Sequence, residues 1–132
     1  MPQIVLRVEG AAQPVKLDAA RLIAQYAVSG SDTLAVLDED VPYEEQLHLV
    51  LFRNGRIIDH IEIGAPYATG EFRPIDEHGS ILRFAFDGDD VWTLSVEAEG
   101  RRMFGGLPAG ARRRSGFFAP RHLFLKRGGG GE

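Results

Sequence analysis

Hydrophobic and polar residues alternate along two stretches of the chain, and each stretch has a glycine near its centre. Alternation with a period of two is typical of a β-strand that buries one face. In QLHLVLFRNGRIIDHIEIG, residues 46–64, the pair Asn54-Gly55 predicts a tight turn. In SILRFAFDGDDVWTLSVE, residues 80–97, the turn is expected at residues 87–89. The pattern therefore predicts two β-hairpins.

Two registers compete for the first hairpin. A two-residue loop pairs Arg53 with Arg56 and scatters polar side chains over both faces. A three-residue loop at 53–55 pairs Phe52 with Arg56 and collects aliphatic residues on one face, with Asp59 as the exception. Since a slip of one residue moves every side chain to the other face, the register with the apolar face is favoured. Its apolar members are Leu47, Leu49, Leu51, Ile57, Ile61 and Ile63.

The second hairpin has one consistent register. It pairs Phe84 with Trp92 and Leu82 with Leu94, and polar residues alternate with them on the other face. Because bulky apolar residues then share one face, this hairpin is predicted to be the best-defined part of the core. That face contains Leu82, Phe84, Phe86, Trp92, Leu94 and Val96.

The remaining segments predict further short strands at residues 4–8, 33–38 and 121–127. Residues 14–28 fit either a helix or a strand, and the strand is favoured because a short turn leads into the next strand. We therefore predict an all-β fold, an antiparallel meander forming a small barrel or sandwich. An α+β fold with one short N-terminal helix is the alternative.

Residues 1–127 are predicted to form a single antiparallel β domain, followed by a flexible glycine-rich end at 128–132. The chain is 44% hydrophobic and 26% charged, which is typical of one soluble globular domain. It contains no cysteine, which excludes disulfides, thiolate metal sites and thiol catalysis. Since neither a secretory signal nor a long apolar run is present, we expect a cytoplasmic protein that does not enter a membrane.

The charge is distributed unevenly. Residues 1–100 contain 7 basic and 18 acidic residues, a net charge of −11. Residues 101–132 contain 8 basic residues and 1 acidic residue, a net charge of +7. An acidic body with a basic end indicates that the end interacts with an acidic surface, either on this chain or on another molecule.

The basic end also contains aromatic residues. Guanidinium groups attract phosphates and aromatic rings stack on bases, so an accessory nucleic-acid-binding role is one interpretation. In the second, residues 121–127 form a closing edge strand and the arginines face the acidic body. In the third, the same residues bind a protein partner. The acidity of the body disfavours the nucleic-acid interpretation, because the body would repel the phosphates that the basic end attracts. The candidate partner- or anion-binding residues are Arg112, Arg113, Arg114, Phe117, Phe118 and Arg121.

A second candidate site lies on the polar face of the first hairpin. The favoured register places His48 opposite His60, with Glu62 two residues along the same face. Two imidazoles and a carboxylate can bind Zn, Fe or Mn, or they can be ordinary surface residues. We favour the latter interpretation and expect neither a metal nor a cofactor.

No motif predicts catalysis. The serines lie in no nucleophile elbow, the glycines form no phosphate-binding loop, and the acidic loops lack calcium-binding spacing. We therefore predict a non-catalytic binding or interaction module whose partner is a protein or a second copy of the chain. The alternatives are a small-molecule-binding β-barrel with metal-dependent activity and an accessory nucleic-acid-binding protein.

Overall fold

A computed structural model gives the architecture of most of the chain. The described residues are 4–6, 15–17, 21–28, 32–39, 44–66, 70–86, 88, 90–102, 106–114 and 119–128. They form strands joined by turns and extended segments, and this part of the chain contains no helix. None of the described residues therefore belongs to a helix long and apolar enough to cross a membrane.

The described strands all pair in the antiparallel sense. They are β1 (Ile4–Leu6), β2 (Val15–Leu17), β3 (Arg21–Ala27), β4 (Asp32–Asp38), β5 (Glu44–Arg53), β6 (Arg56–Pro66), β7 (Arg73–His78), β8 (Ile81–Ala85), β9 (Val91–Arg101), β10 (Ala111–Arg113) and β11 (Arg121–Gly128). The predicted all-β class is confirmed. The segment that fits either a helix or a strand forms β2 and β3.

Two sheets build the body of the molecule. One has five strands in the order β10-β6-β5-β4-β3, and the other has four in the order β11-β9-β8-β7. Strands β1 and β2 form a separate pair. The apolar faces of the two larger sheets meet in one core, so the arrangement is a sandwich rather than a closed barrel.

The second hairpin forms the register that its sequence predicts. Phe84 pairs with Trp92 and Leu82 with Leu94, and all of these side chains are buried. The rings of Phe84 and Trp92 are stacked, with 6.4 Å between their centroids. Burial of these large rings makes this hairpin the centre of the four-stranded sheet.

The register predicted for the first hairpin is wrong near its turn. Asn54 and Gly55 both have positive φ, 52° and 78°, and they form a two-residue turn that pairs Arg53 with Arg56. A bulge at Ile58, between the pairs Phe52–Ile57 and Leu51–Asp59, then shifts the register by one residue. The bulge restores the apolar face beyond it, but it leaves Ile57 exposed.

The edge strands on one side of the sandwich come from the C-terminal part of the chain. Strand β10 adds to the edge of the five-stranded sheet beside β6, and β11 adds to the four-stranded sheet beside β9. These two strands lie close together, since Arg113 of β10 reaches the backbone of Leu123 in β11. The predicted closing strand at 121–127 is confirmed, with Leu123 and Leu125 buried. Strands β3 and β7 form the opposite edges.

Candidate functional site

The three consecutive arginines of the basic segment point to different faces of the five-stranded sheet. Arg112 pairs with Glu62 across β10 and β6, and Arg113 pairs with Ile61. Because side chains alternate along a strand, Arg112 and Arg114 lie on the outer face and Arg113 points into the sandwich. The backbone N–H of Arg114 donates to the carbonyl of His60, which continues the pairing by one residue.

On the inner side, Asp59 is fully buried and accepts several hydrogen bonds. Arg113 Nη1 donates to Asp59 Oδ2 over 2.5 Å, and the backbone N–H groups of His122 and Leu123 donate over 2.8 Å and 2.9 Å. The same arginine donates from Nη2 to the carbonyl of Leu123 over 3.0 Å. The one acidic residue on the apolar face of the hairpin therefore connects the two sheets.

The Arg113 side chain is 10% exposed, and its charge is neutralised by Asp59. Its Nε is the single buried side-chain nitrogen or oxygen without a hydrogen-bond partner in the part of the chain that the structure describes. A guanidinium held in this way stabilises the fold and is not accessible to a partner.

On the outer face, Glu62 accepts hydrogen bonds from two arginines. Arg112 donates to Oε1 from Nε (3.0 Å) and Nη2 (2.7 Å), and Arg114 Nη1 donates to Oε2 over 2.6 Å. Burial would raise the pKa of Glu62, but the hydrogen bonds from Arg114 and Arg112 outweigh it and lower the pKa. The Glu62 side chain is 3% exposed, whereas those of Arg112 and Arg114 are 68% and 36% exposed.

Next to Glu62 and its two arginines lies a hydrogen-bonded row of Glu39, His48 and His60. Glu39 Oε2 lies 2.9 Å from His48 Nε2, and His48 Nδ1 lies 2.8 Å from His60 Nε2. Glu62 Oε2 is 3.9 Å from His48 Nδ1, too far for a hydrogen bond. Glu39 and His48 are both buried, which removes these bonds from competition with water.

The proton distribution in this row follows from the environment of His60. Burial, with smaller contributions from His48 and Arg114, lowers the pKa of His60 to about 4. His60 is therefore neutral at physiological pH. Its Nε2 faces His48 Nδ1, and which of these two nitrogens donates depends on the tautomers of the rings.

Glu39, His48 and Glu62 could also hold a metal ion, because one ligand atom from each lies within 4.8 Å of the others. However, both Glu62 oxygens already accept hydrogen bonds from guanidinium groups. A cation would have to displace Arg112 and Arg114 and would be repelled by their charges. The donor set is therefore a poor fit for a metal while the arginines are in place.

An open groove of about 340 Å³ runs along the outer edge beside this network. It is lined by Gln46, Glu62, Gly64, Gly110, Ala111 and Arg112. The exposed Arg112 thus forms part of the wall of the groove, and its buried partner Glu62 contributes to the floor. The amide of Gln46 adds a neutral hydrogen-bonding group.

The structure brings together some of the sequence-predicted residues and separates others. His48 lies opposite Glu62 rather than His60, because the two-residue turn and the bulge each shift the register by one residue, although the two imidazoles still form a hydrogen bond. Arg121 lies at the start of β11 in the four-stranded sheet, where it pairs with Arg101 of β9. Phe117 and Phe118 fall outside the described residues.

Two participating residues are not among the candidates predicted from sequence, Glu39 and Asp59. Glu39 belongs to an acidic stretch without a metal-binding pattern, so its sequence context carries no signal. Asp59 does have a signal in the sequence, since it is the lone polar residue on the apolar face of the first hairpin. No protein-family model, curated protein or solved structure matches this chain. Its function has to be inferred from the chemistry of these residues.

Proposed function

We propose that the protein is a non-catalytic, cytoplasmic binding module that recognises a carboxylate group of a protein partner at Arg112 and Arg114. The observation that carries the proposal is the charge balance at the groove. Two guanidinium groups share a single hydrogen-bonding carboxylate, Glu62, while the neighbouring buried Glu39 bonds to His48, so the arginines have more positive charge than their one acceptor neutralises. That charge lies at the surface, where a ligand can reach it.

The two arginines also have donors to spare. Arg112 uses Nε and Nη2 to bind Glu62, and Arg114 uses Nη1. The described contacts leave Nη1 of Arg112 and Nε and Nη2 of Arg114 open to a ligand. Guanidinium groups match the planar geometry of a carboxylate. Because Glu62 already holds both side chains in place, binding a ligand costs less side-chain entropy.

A single carboxylate fits the surroundings better than a polyanion. The body of the chain, residues 1–100, has a net charge of −11 and would repel a long phosphate backbone or an acidic tract. The groove volume of about 340 Å³ is near the lower end for ligand sites. An extended segment with one Asp, one Glu or a chain end is therefore the partner we propose.

Nucleic acid binding has less support for a related reason. Of the three clustered arginines, Arg113 is committed to Asp59 inside the sandwich, so two are left at the surface. A phosphate-binding surface normally uses a larger set of basic residues, each of which contributes to counterion release. We therefore treat single-stranded RNA as a competing ligand in the test.

The cluster of Glu39, His48 and Glu62 favours one second candidate, a small-molecule site with metal-dependent activity. In that case Arg112 and Arg114 would have to leave Glu62 when the metal binds. Metal analysis of untagged protein distinguishes this candidate. Near-stoichiometric Zn, Fe or Mn that is lost in His48→Ala would replace the carboxylate-binding proposal.

The proposal can be tested with two matched peptide pools. In the first, short degenerate peptides share one fixed glutamate, and in the second, glutamine replaces it. Binding is followed through the side-chain Nε–H signals of Arg112 and Arg114 in ¹⁵N-labelled protein. We expect the glutamate pool to shift these signals and the glutamine pool to leave them unchanged.

Variants then assign the binding energy. Loss of a charged hydrogen bond costs about 1.5–3 kcal/mol, so Arg112→Gln with Arg114→Gln should weaken binding at least tenfold. Arg83→Gln is the matched control, because Arg83 is a half-exposed arginine paired with Asp76 on the other sheet. Equal binding of both pools, equal loss in the control, or preferential binding of single-stranded RNA would contradict the proposal.

A further inference from the structure

The two edge strands on the side opposite the arginines are protected to very different degrees. Natural edge strands avoid unwanted pairing by carrying charges, prolines or bulges. Strand β7, RPIDEH, has a proline and several charged side chains. Strand β3, RLIAQYA, has one charge, Arg21, and no proline or glycine. In the part of the chain that the structure describes, its protection is limited to a bulge between Leu22 and Ala24.

The unprotected strand also exposes large apolar side chains. Leu22 is 40% exposed and Ile23 is 37% exposed, although Ala24 and Tyr26 of the same strand pack against the core. Beyond the bulge, the run from Ala24 to Ala27 pairs regularly with β4. This regular run is long enough to accept another strand on its free side.

The hydrogen bonds between β3 and β4 indicate which backbone N–H and C=O groups of β3 could pair with another strand. Val28 donates its N–H to the carbonyl of Asp32 over 3.1 Å, so Val28 directs its backbone groups towards β4. Residues of an antiparallel pair alternate in this respect. Gln25 and Ala27 therefore direct their N–H and C=O groups away from β4, towards the open edge.

We infer that β3 pairs with β3 of a second copy of this chain, which joins the two five-stranded sheets edge to edge. An antiparallel register centred on Tyr26 places Gln25 of each copy opposite Ala27 of the other. Both residues have outward backbone groups, so each N–H finds a carbonyl in the second copy. The strand is thus complementary to itself about a two-fold axis.

Charge also favours a second copy as the occupant. The single charge of β3, Arg21, is at one end of the strand and is paired with Asp38 of its own chain. In an antiparallel pair it lies near the end of the partner strand that follows Ala27, away from the other Arg21. No like charges are placed opposite each other. Pairing about a two-fold axis also covers the β3 edge of both copies, so the assembly stops at a dimer.

Backbone substitution gives the sharpest test. Gln25→Pro removes an N–H that has no partner within β4, and proline is tolerated at such edge positions. Gln25→Ala is its matched control, because it keeps the N–H. Sedimentation equilibrium should show a dimer for the parent and for Gln25→Ala. Gln25→Pro should self-associate about tenfold more weakly or worse, since each copy loses a backbone hydrogen bond.

Two further measurements do not depend on the proline variant folding. In the parent protein, the amides of Gln25 and Ala27 should exchange rapidly when dilute and slowly when concentrated. Ile23→Lys should weaken the dimer, whereas Ile75→Lys on the protected edge β7, where Ile75 is 49% exposed, should not. A parent that stays monomeric at high concentration, or a dimer unaffected by Gln25→Pro, would overturn the inference.

Discussion

Two carboxylates on the same strand, β6, show how one basic segment serves two purposes. Asp59 faces the core and Glu62 faces outwards, and each accepts a hydrogen bond from arginines of the segment 112–114. Asp59 also accepts hydrogen bonds from three backbone N–H groups and is fully buried. Glu62 holds arginines that stay exposed. Similar ion pairs therefore close the fold on one face and present charge on the other.

The difference comes from strand alternation and from burial. A buried ion pair is costly to break, because the remaining charge is left in a medium of low polarity. A pair with one exposed member loses little, since water replaces the missing partner. We therefore expect substitutions at Asp59 to act on stability, and substitutions near Glu62 to act mainly on binding.

The largest expected effect is that of Asp59→Ala. The substitution leaves the Arg113 guanidinium and three backbone N–H groups without their acceptor. We expect a loss of about 3–5 kcal/mol in the free energy of unfolding. Urea denaturation followed by Trp92 fluorescence measures it, since Trp92 is fully buried in the native state.

Glu62→Gln is the comparison for this experiment. It keeps an acceptor oxygen for one arginine and leaves two exposed guanidinium groups that water can solvate, so the loss should be about 1 kcal/mol. If the two variants were equally stable, the distinction between an inner and an outer ion pair would be wrong.

Much of the fold could be predicted because hydrophobic alternation is strong where two sheets bury it. The register of Phe84 with Trp92 and the strand nature of residues 21–27 are both confirmed. Strands β7 and β10 could not be predicted, because an exposed edge strand of polar residues and a three-residue strand carry no alternation of apolar residues. The bulge in the first hairpin was missed for another reason. It satisfies both the Asn54-Gly55 turn and the apolar face, which the sequence pattern presents as competing demands.

The site was predictable only in outline. His48, His60 and Glu62 do lie on one face, as alternation indicates. Glu39, however, follows the end of β4 and joins them through its hydrogen bond to His48, which the hairpin pattern does not predict. The excess of arginine near the C-terminus predicts contact with an acidic surface. Which arginine meets which carboxylate depends on the position of β10 beside β6, which has no local signal.

The second expected effect concerns pH and the outer face. The pKa of His60 is lowered to about 4 from an ordinary value of 6.5, so the unfolded chain binds a proton between these values and the folded chain does not. Stability therefore falls as the pH drops from about 6.5 to 4, by up to about 3 kcal/mol. Urea midpoints measured across this range give the slope.

His60→Asn should remove most of this slope, because asparagine does not titrate. His78→Asn is the control, since His78 is an exposed histidine of β7 on the other sheet. The pKa of Glu62 is lowered as well, so its contribution to stability is lost as the pH falls from its ordinary pKa of 4.5 through the lowered value. If the dependence of stability on pH between 6.5 and 4 persisted in His60→Asn, His60 would not be its source.

The smallest expected effect separates the two kinds of arginine directly. Arg113→Lys keeps the charge near Asp59 but cannot bind both Asp59 and the carbonyl of Leu123 with a planar fork, as Arg113 does. We expect it to cost about 1–2 kcal/mol, the value of a charged hydrogen bond lost in a buried setting. Arg112→Lys makes the same chemical change at a side chain that is 68% exposed, so it should change stability by less than about 0.5 kcal/mol. Paired urea titrations measure the difference, and equal losses at the two positions would mean that alternation along β10 does not divide their roles.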